Sequence, residues 1–413
     1  MLTALLALAM AAAVPTARDV AAMEQFVRDD RSYAPAAKAA ARRDAGRLTA
    51  HLSDAARFEL EAARIVALAD NGHSAFFPAQ WTLRYARSPV RFGLFADGLY
   101  VIAAPPHHRR LLGKAVVAIN GRDWSDLRRA LARYQGGAQP FKDQFLPYFL
   151  ETPALLAAAG LGTDRARLRV RVTGQAPALV AAEMAPLEGE AAFIGESQSR
   201  NAAHLINGPR PLYLRDADKL YVSVPVPALA ARYIRIDAIG GEGLQPFLTR
   251  TLAELSAGKH RNIILDLRFN MGGDLNRARD FAAALPGLAK GGRVYAITSG
   301  RTFSAAISTI GYLKQAGPEK VIIVGEPVGD RLEFWAEGGV RELPMGAKLL
   351  LATERHNYRT GCPEADCHGS IRDHPIRVGS LQPDIPAPLR FADFKAGRDP
   401  AMAAIERDIR RRR

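Results

Sequence analysis

Cysteine is almost missing from this chain: two residues, Cys362 and Cys367, among 413. That excludes a disulfide-dense small scaffold, and no zinc-finger spacing is present. Lysine is also scarce, 10 of the 56 basic residues, the other 46 being arginine. Long apolar runs are missing beyond Leu2 to Val14, which excludes a polytopic membrane protein. There is no internal repeat. With 48% hydrophobic, 8% aromatic and 24% charged residues, the composition excludes collagen, coiled coil and disorder.

What is present is an ordinary globular mixture with a basic excess. Lys+Arg 56 against Asp+Glu 42 gives 56 − 42 = +14, and the pI is near 10.0. Such an excess can mark nucleic-acid or anionic-surface binding. Here the basic residues are scattered, apart from Arg410 to Arg413, and no RNA-binding signature accompanies them. The Arg and Ala bias reads as GC-rich coding, so no nucleic-acid partner is expected. At roughly 150 residues per domain, the length suggests two or three domains.

Leu2 to Val14 has the length of a signal-peptide h-region, followed by small residues at Ala11-Ala12-Ala13 and Thr16-Ala17. Residues 1–17 are therefore expected to be a signal peptide. The mature protein is then periplasmic or secreted, without a stable membrane span. An apolar first helix of the fold is the alternative. Cys362 and Cys367, close together in TGCPEADCHGS, fit a small disulfide-closed loop in an oxidising compartment. Two free thiols are the alternative, and no metal site is expected there.

Along the chain, residues 18–87 read as an N-terminal helical region. HLSDAARFELEAARIVALAD carries apolar residues at helical spacing, with Ser53 or Asp54 as cap and a stop at Asn71-Gly72. His73 then sits on a turn just past a helix end. Residues 88–190 read as a small β-rich docking module and connector, with hairpin signals at Asp97-Gly98 and Asn120-Gly121. Residues 191–232 read as a linker and a hairpin turning at Ala217-Asp218-Lys219. Residues 233–413 alternate strand and helix: YIRIDAI, NIILDLRF, RVYAITS and KVIIVGE are strands between amphipathic helices. Short links in such alternation predict βαβ units and a parallel sheet, an α/β fold.

Loops past the carboxyl ends of parallel strands carry function. Two stand out: Phe269 to Asp274, and Gly300 to Ser304. Consecutive units place them side by side. Ser304 opens its helix, near free backbone N–H groups and the positive end of the helix dipole. Gly272 and Gly273 let backbone approach a substrate, and their N–H groups with that of Ala305 are candidates for an oxyanion hole. The bland alternatives are a plain N-cap for Ser304 and a tight turn for the glycines. A serine nucleophile needs a base, and His73 on its turn is the candidate.

ILDLRFNMGGD, GRTFSAA, VIIVGEPVGDR and LQPDIP, in this order, resemble the core of the tail-specific, or C-terminal processing, serine peptidases. The likeness is closer to the branch with tricorn protease and interphotoreceptor retinoid-binding protein. ADNGHSAFF resembles that family's Asp-Gly-His-Thr segment, and LYVIAA with LLGKAVVAINGRDW resembles its diverged PDZ-like docking module. Together the segments cover most of residues 50 to 390. The resemblance implies a crotonase-like βα spiral core and Ser304 as nucleophile. It also implies a lysine base in a Gly-Glu-Pro-Thr-x-Gly-Lys segment. Here that segment ends in Asp330-Arg331, and an arginine stays protonated. In the tricorn-like branch a histidine from the preceding domain serves, which puts His73 forward. Arg377 stands nearest the place of that branch's glutamate, so Glu326, Asp373 and Glu364 remain as candidates for the acid that orients His73.

The expectation is an exported serine-type endopeptidase acting on peptide or protein substrates through an acyl-enzyme, with no metal or organic cofactor. The competing class is a catalytically weak or inactive peptide- or ligand-binding protein on the same scaffold. A thioester-handling enzyme is a third class, which export argues against.

Overall fold

The computed structural model describes residues 14–79, 84–184 and 198–412. Residues 1–13, with most of the proposed signal segment, lie outside the described residues. No described helix is long and apolar enough to cross a membrane.

Three helices, Ala17–Asp29, Pro35–Gly46 and Ala55–Ala67, open the described chain. Asp54 caps the third by accepting the Arg57 N–H at 3.2 Å. That helix buries Phe58, Leu60, Ala62, Ile65 and Val66, then gives way to the turn holding Asn71 to Ser74. Its apolar face does not close a core of its own. It packs into one cluster with the β-rich module and with Leu343, Met345 and Leu349 of the C-terminal half. The module consists of the hairpin Arg91–Phe95/Gly98–Ala103 and a four-stranded antiparallel sheet. Both expected hairpins form there, the first turning at Ala96-Asp97, one residue before the expected Asp97-Gly98, and the second at Asn120-Gly121.

The C-terminal half is built on a six-stranded sheet. Five strands are parallel: Ala231–Ile236, Asn262–Asp266, Val294–Thr298, Val321–Gly325 and Ile385–Pro386. They lie side by side in chain order, and Tyr221–Val226 adds an antiparallel edge. Every residue of Asn262–Asp266 and Val294–Thr298 is buried, as expected for parallel strands covered on both faces. Helices Leu244–Ala257, Asn276–Leu288 and Ala305–Ala316 cover one face, and Pro400–Arg411 covers the other. The expected hairpin near residue 218 is displaced. Leu212–Leu214 is a short 3₁₀ turn, and the hairpin turns at Pro227–Leu229, with Ala230 left-handed at φ 46°. Val-Pro-Val-Pro continues the strand further than the polar Ala217-Asp218-Lys219 signal suggested.

After the fourth parallel strand comes a long hairpin, Glu333–Glu342 with Lys348–Asn357, and Ala75–Phe77 pairs with its second strand. This pairing ties the N-terminal region to the core and brings the His73 turn to the sheet's carboxyl edge. A Cys362–Cys367 disulfide, Cα atoms 5.7 Å apart, closes the loop that follows.

Candidate active site

Three neighbouring loops leave the carboxyl ends of the parallel strands: 267–275, 299–304 and 326–332. The first is organised by Asn270, which is fully buried. Its side-chain amide donates to the Ile236 carbonyl at 2.9 Å, and its side-chain oxygen accepts the Gly272 N–H at 2.8 Å. Its own carbonyl accepts the Phe303 N–H at 3.0 Å, pinning the second loop to the first.

Ser304 stands at the start of helix Ala305–Ala316, but its hydroxyl makes no capping hydrogen bond. Its backbone is at φ 53°, ψ −128°, a conformation that costs a non-glycine residue on the order of 1–3 kcal/mol. A plain N-cap has neither property. The strain turns the side chain out of the capping position at the positive end of a helix. Gly272 lies against it: a Cβ there would come 2.6 Å from the Ser304 Cβ. A Cβ on Gly273 would collide with the Ile239 carbonyl oxygen. Both glycines have positive φ, 112° and 137°. The Gly272 N–H is taken by Asn270, which corrects its expected place among the oxyanion donors. The Gly273 and Ala305 N–H groups have no hydrogen-bond partner among the described residues.

His73, 231 positions earlier, is brought to the same loops. Its ring stacks on Phe303, the residue before Ser304, at 4.3 Å between centroids, and on Phe334 from the other side at 4.9 Å. The turn is fixed by Asn71. Its side chain donates to the Trp335 carbonyl at 3.0 Å and accepts the Trp335 N–H at 3.1 Å, acting as one more rung on the hairpin. Neither ring nitrogen of His73 has a hydrogen-bond partner, and the histidine meets the serine's loop through its stack on Phe303. Catalytic hydrogen bonds are commonly loose without substrate.

The acid beside His73 is Asp330, with Oδ2 at 3.6 Å from Nδ1 and a side chain only 1% exposed. This corrects the expected candidates. Asp373 is exposed at the end of the short helix Gly369–Asp373. Glu364 ion-pairs with Arg355 at 3.2 Å. Glu326 is half-buried and accepts the Leu389 N–H at 2.9 Å, and desolvation raises its pKa from the ordinary value. Asp330 was legible in one way: it follows the third of three adjacent strands, the rule that selected the other two loops. Arg331, in the place of the expected lysine, reaches across to the Asp70 carbonyl and carboxylate, both at 2.8 Å, and so fastens the His73 turn to the third loop.

Phe303, the residue before Ser304, belongs to an aromatic cluster. Phe141, Phe145 and Phe303 are buried together, with Phe77, Phe149 and Met271 against them. Behind Phe334 the stack continues to His356 at 4.8 Å and on to His368 at 5.2 Å. Burial lowers the pKa of His356, whose Nδ1 lies 3.2 Å from the Tyr358 hydroxyl.

No family model matches the sequence, and no curated protein matches it. Solved structures do. CPAF complexed with lactacystin superposes over 95% of this chain and 97% of its own, with TM-score 0.54 and 11% identity. The CPAF S499A mutant gives 0.58 at 10% identity, over 95% and 96%. A photosystem II D1 C-terminal processing protease aligns over 95% and 97% at 12% identity, but its TM-score of 0.39 is too low to carry weight. At these identities the likeness to CPAF establishes a shared fold.

Proposed function

We propose that this chain is a serine peptidase of the tail-specific type, hydrolysing peptide bonds through an acyl-enzyme on Ser304. The observation that carries the reading is the strained, uncapped Ser304 on the loop whose Phe303 stacks on His73, with the Asp330 carboxylate 3.6 Å from that histidine. The fold shared with CPAF and the resemblance of ILDLRFNMGGD and GRTFSAA to the family core support it. In this reading Ser304 Oγ attacks the scissile carbonyl. His73 takes its proton and returns it to the leaving amine, and Asp330 holds the imidazole by its Nδ1 edge. The carbonyl oxygen becomes an oxyanion between the Gly273 and Ala305 N–H groups, at the positive end of the 305–316 helix. Water then releases the acyl group by the same steps in reverse order. Export as a periplasmic or secreted enzyme, a PDZ-like role for the β-rich module and a crotonase-like core belong to the same proposal.

The test is cleavage of an unfolded protein substrate by the purified chain, with Ser304→Ala in parallel. Fragments from the wild type alone support the reading. Equal cleavage by both proteins, or by neither, overturns it, and the second result favours a binding protein on this scaffold.

A further inference from the structure

The ladder between Ala75–Phe77 and the strand Lys348–Asn357 is interrupted beside His73. Ala75 stands opposite Leu350, and Phe77 stands opposite Lys348. Two residues further along, the same register would set His73 opposite Ala352, backbone to backbone. That rung is taken by another part of the chain. The Ala352 carbonyl accepts the Arg31 N–H at 2.9 Å, and the Ala352 N–H donates to the Asp30 carboxylate at 3.0 Å. Two residues just past the first helix thus occupy the place into which the His73 backbone would otherwise zip.

Asp30 is fully buried, and its carboxylate is met by neutral donors. Oδ2 accepts the Ser74 hydroxyl at 2.9 Å beside the Ala352 N–H. Oδ1 accepts the Ser32 N–H at 2.9 Å and the Ser32 hydroxyl. Lys38 donates to the backbone carbonyl of Asp30, at 2.8 Å. Ser74, the residue after His73, is also fully buried, and its oxygen accepts the Asn71 side-chain amide at 3.0 Å. The chain of bonds therefore runs from Asp30 through Ser74 and Asn71 to Trp335, and it holds the turn on both sides of His73. Burying a carboxylate is costly, and desolvation raises the Asp30 pKa. An asparagine would fill the same space at lower cost. Its amide, however, would face the N–H of either Ala352 or Ser32, each a fixed donor. The position needs an acceptor on both edges.

We propose that Asp30 is a positioning residue for His73. By taking the Ala352 rung and gripping Ser74, it keeps the His73 backbone off the strand and the ring in its stack between Phe303 and Phe334. The inference rests on the peptidase reading for what His73 does, and on geometry alone for where it sits.

The test reads His73 directly, by nuclear magnetic resonance of the full-length Ser304→Ala protein carrying ring-labelled histidine. The faces of Phe303 and Phe334 shift the His73 ring protons upfield, and the signal is assigned by its loss in His73→Gln. Asp30→Asn moves that signal toward the unstacked value, while the signal of the exposed His204 stays in place. Ser74→Ala cuts the same link without introducing a donor, moves the signal the same way, and decides the matter if Asp30→Asn does not fold. With Ser304 present, Asp30→Asn lowers the rate of its labelling by a fluorophosphonate about tenfold, as for a lost hydrogen bond to a charged group. In a His73→Gln background it changes that rate no further, because it acts through His73. A His73 signal unmoved by both substitutions, a common shift of all histidines in a folded variant, or an equal loss of labelling with and without His73 overturns the inference. Absence of labelling in the wild type overturns the peptidase reading instead, and the ring signal still decides the place of His73.

Discussion

Ser304 and Gly272 form one device at the scale of single residues. The serine can hold φ 53° because the Asn270 side chain and the Phe303 N–H lock the two loops together, and because nothing but hydrogen occupies the Gly272 side-chain position. Gly272→Ala should therefore cost about 2 kcal/mol or more and displace Ser304, since it combines a clash with a positive φ. Chemical denaturation and peptide turnover, measured together, check this. Gly273→Ala is no test of an oxyanion donor, because its methyl would strike the Ile239 carbonyl. Asp330→Asn is the sharper probe. It keeps the shape beside His73 but removes the charge, so turnover should fall about tenfold or more with little change in melting temperature. An unchanged rate would remove Asp330 from the mechanism.

The hairpin 333–357 is the element that places the base. Its Trp335 backbone binds Asn71, and its Phe334 lies between His73 and His356. Phe334→Ala should destabilise the fold by about 3–5 kcal/mol through the cavity it leaves and release His73 from its stack. Thermal unfolding and labelling of Ser304 report the two effects separately. His356 gives this element a pH dependence. Its pKa is lowered in the fold by burial, so the unfolded chain binds more protons below about pH 6.5. Stability attributable to His356 is full above that pH and lost as pH falls through it. Glu337 lies 3.6 Å from its Nε2, and the His73 and His368 rings lie along the same stack. His356→Phe, which preserves stacking on Phe334, should flatten the melting temperature between pH 6.5 and 5. A slope equal to wild type would contradict it.

Across the whole molecule, the sequence made the parallel sheet visible, because strands such as NIILD and VYAIT are apolar throughout and are separated by helices of ordinary length. It also pointed to Ser304 and His73 through loop position and family likeness. It did not reveal the partner acid. Glu326, Asp330, Glu364 and Asp373 all lie within 50 residues, and only the three-dimensional crossing of the His73 turn over the third loop selects among them. Nor did it reveal that the N-terminal helices and the β-rich module share one core, since amphipathic faces do not name the surface they cover. The disulfide is a global contributor of modest size. For a loop of five residues' separation the chain-entropy relation gives about 2 kcal/mol, so mild reduction should lower denaturant stability by that amount. No change on reduction, with both thiols then accessible to alkylation, would contradict the assignment.

The central claim is that His73 activates Ser304. It is tested most directly by the rate of covalent modification with a fluorophosphonate, located by peptide mass mapping in wild type, His73→Gln and Ser304→Ala. The account predicts a single adduct on Ser304 in the wild type, none in Ser304→Ala, and a labelling rate reduced about 10²-fold in His73→Gln, the low end of general-base contributions. Labelling of Ser304 at the same rate without His73, or no adduct in the folded wild type, would contradict it.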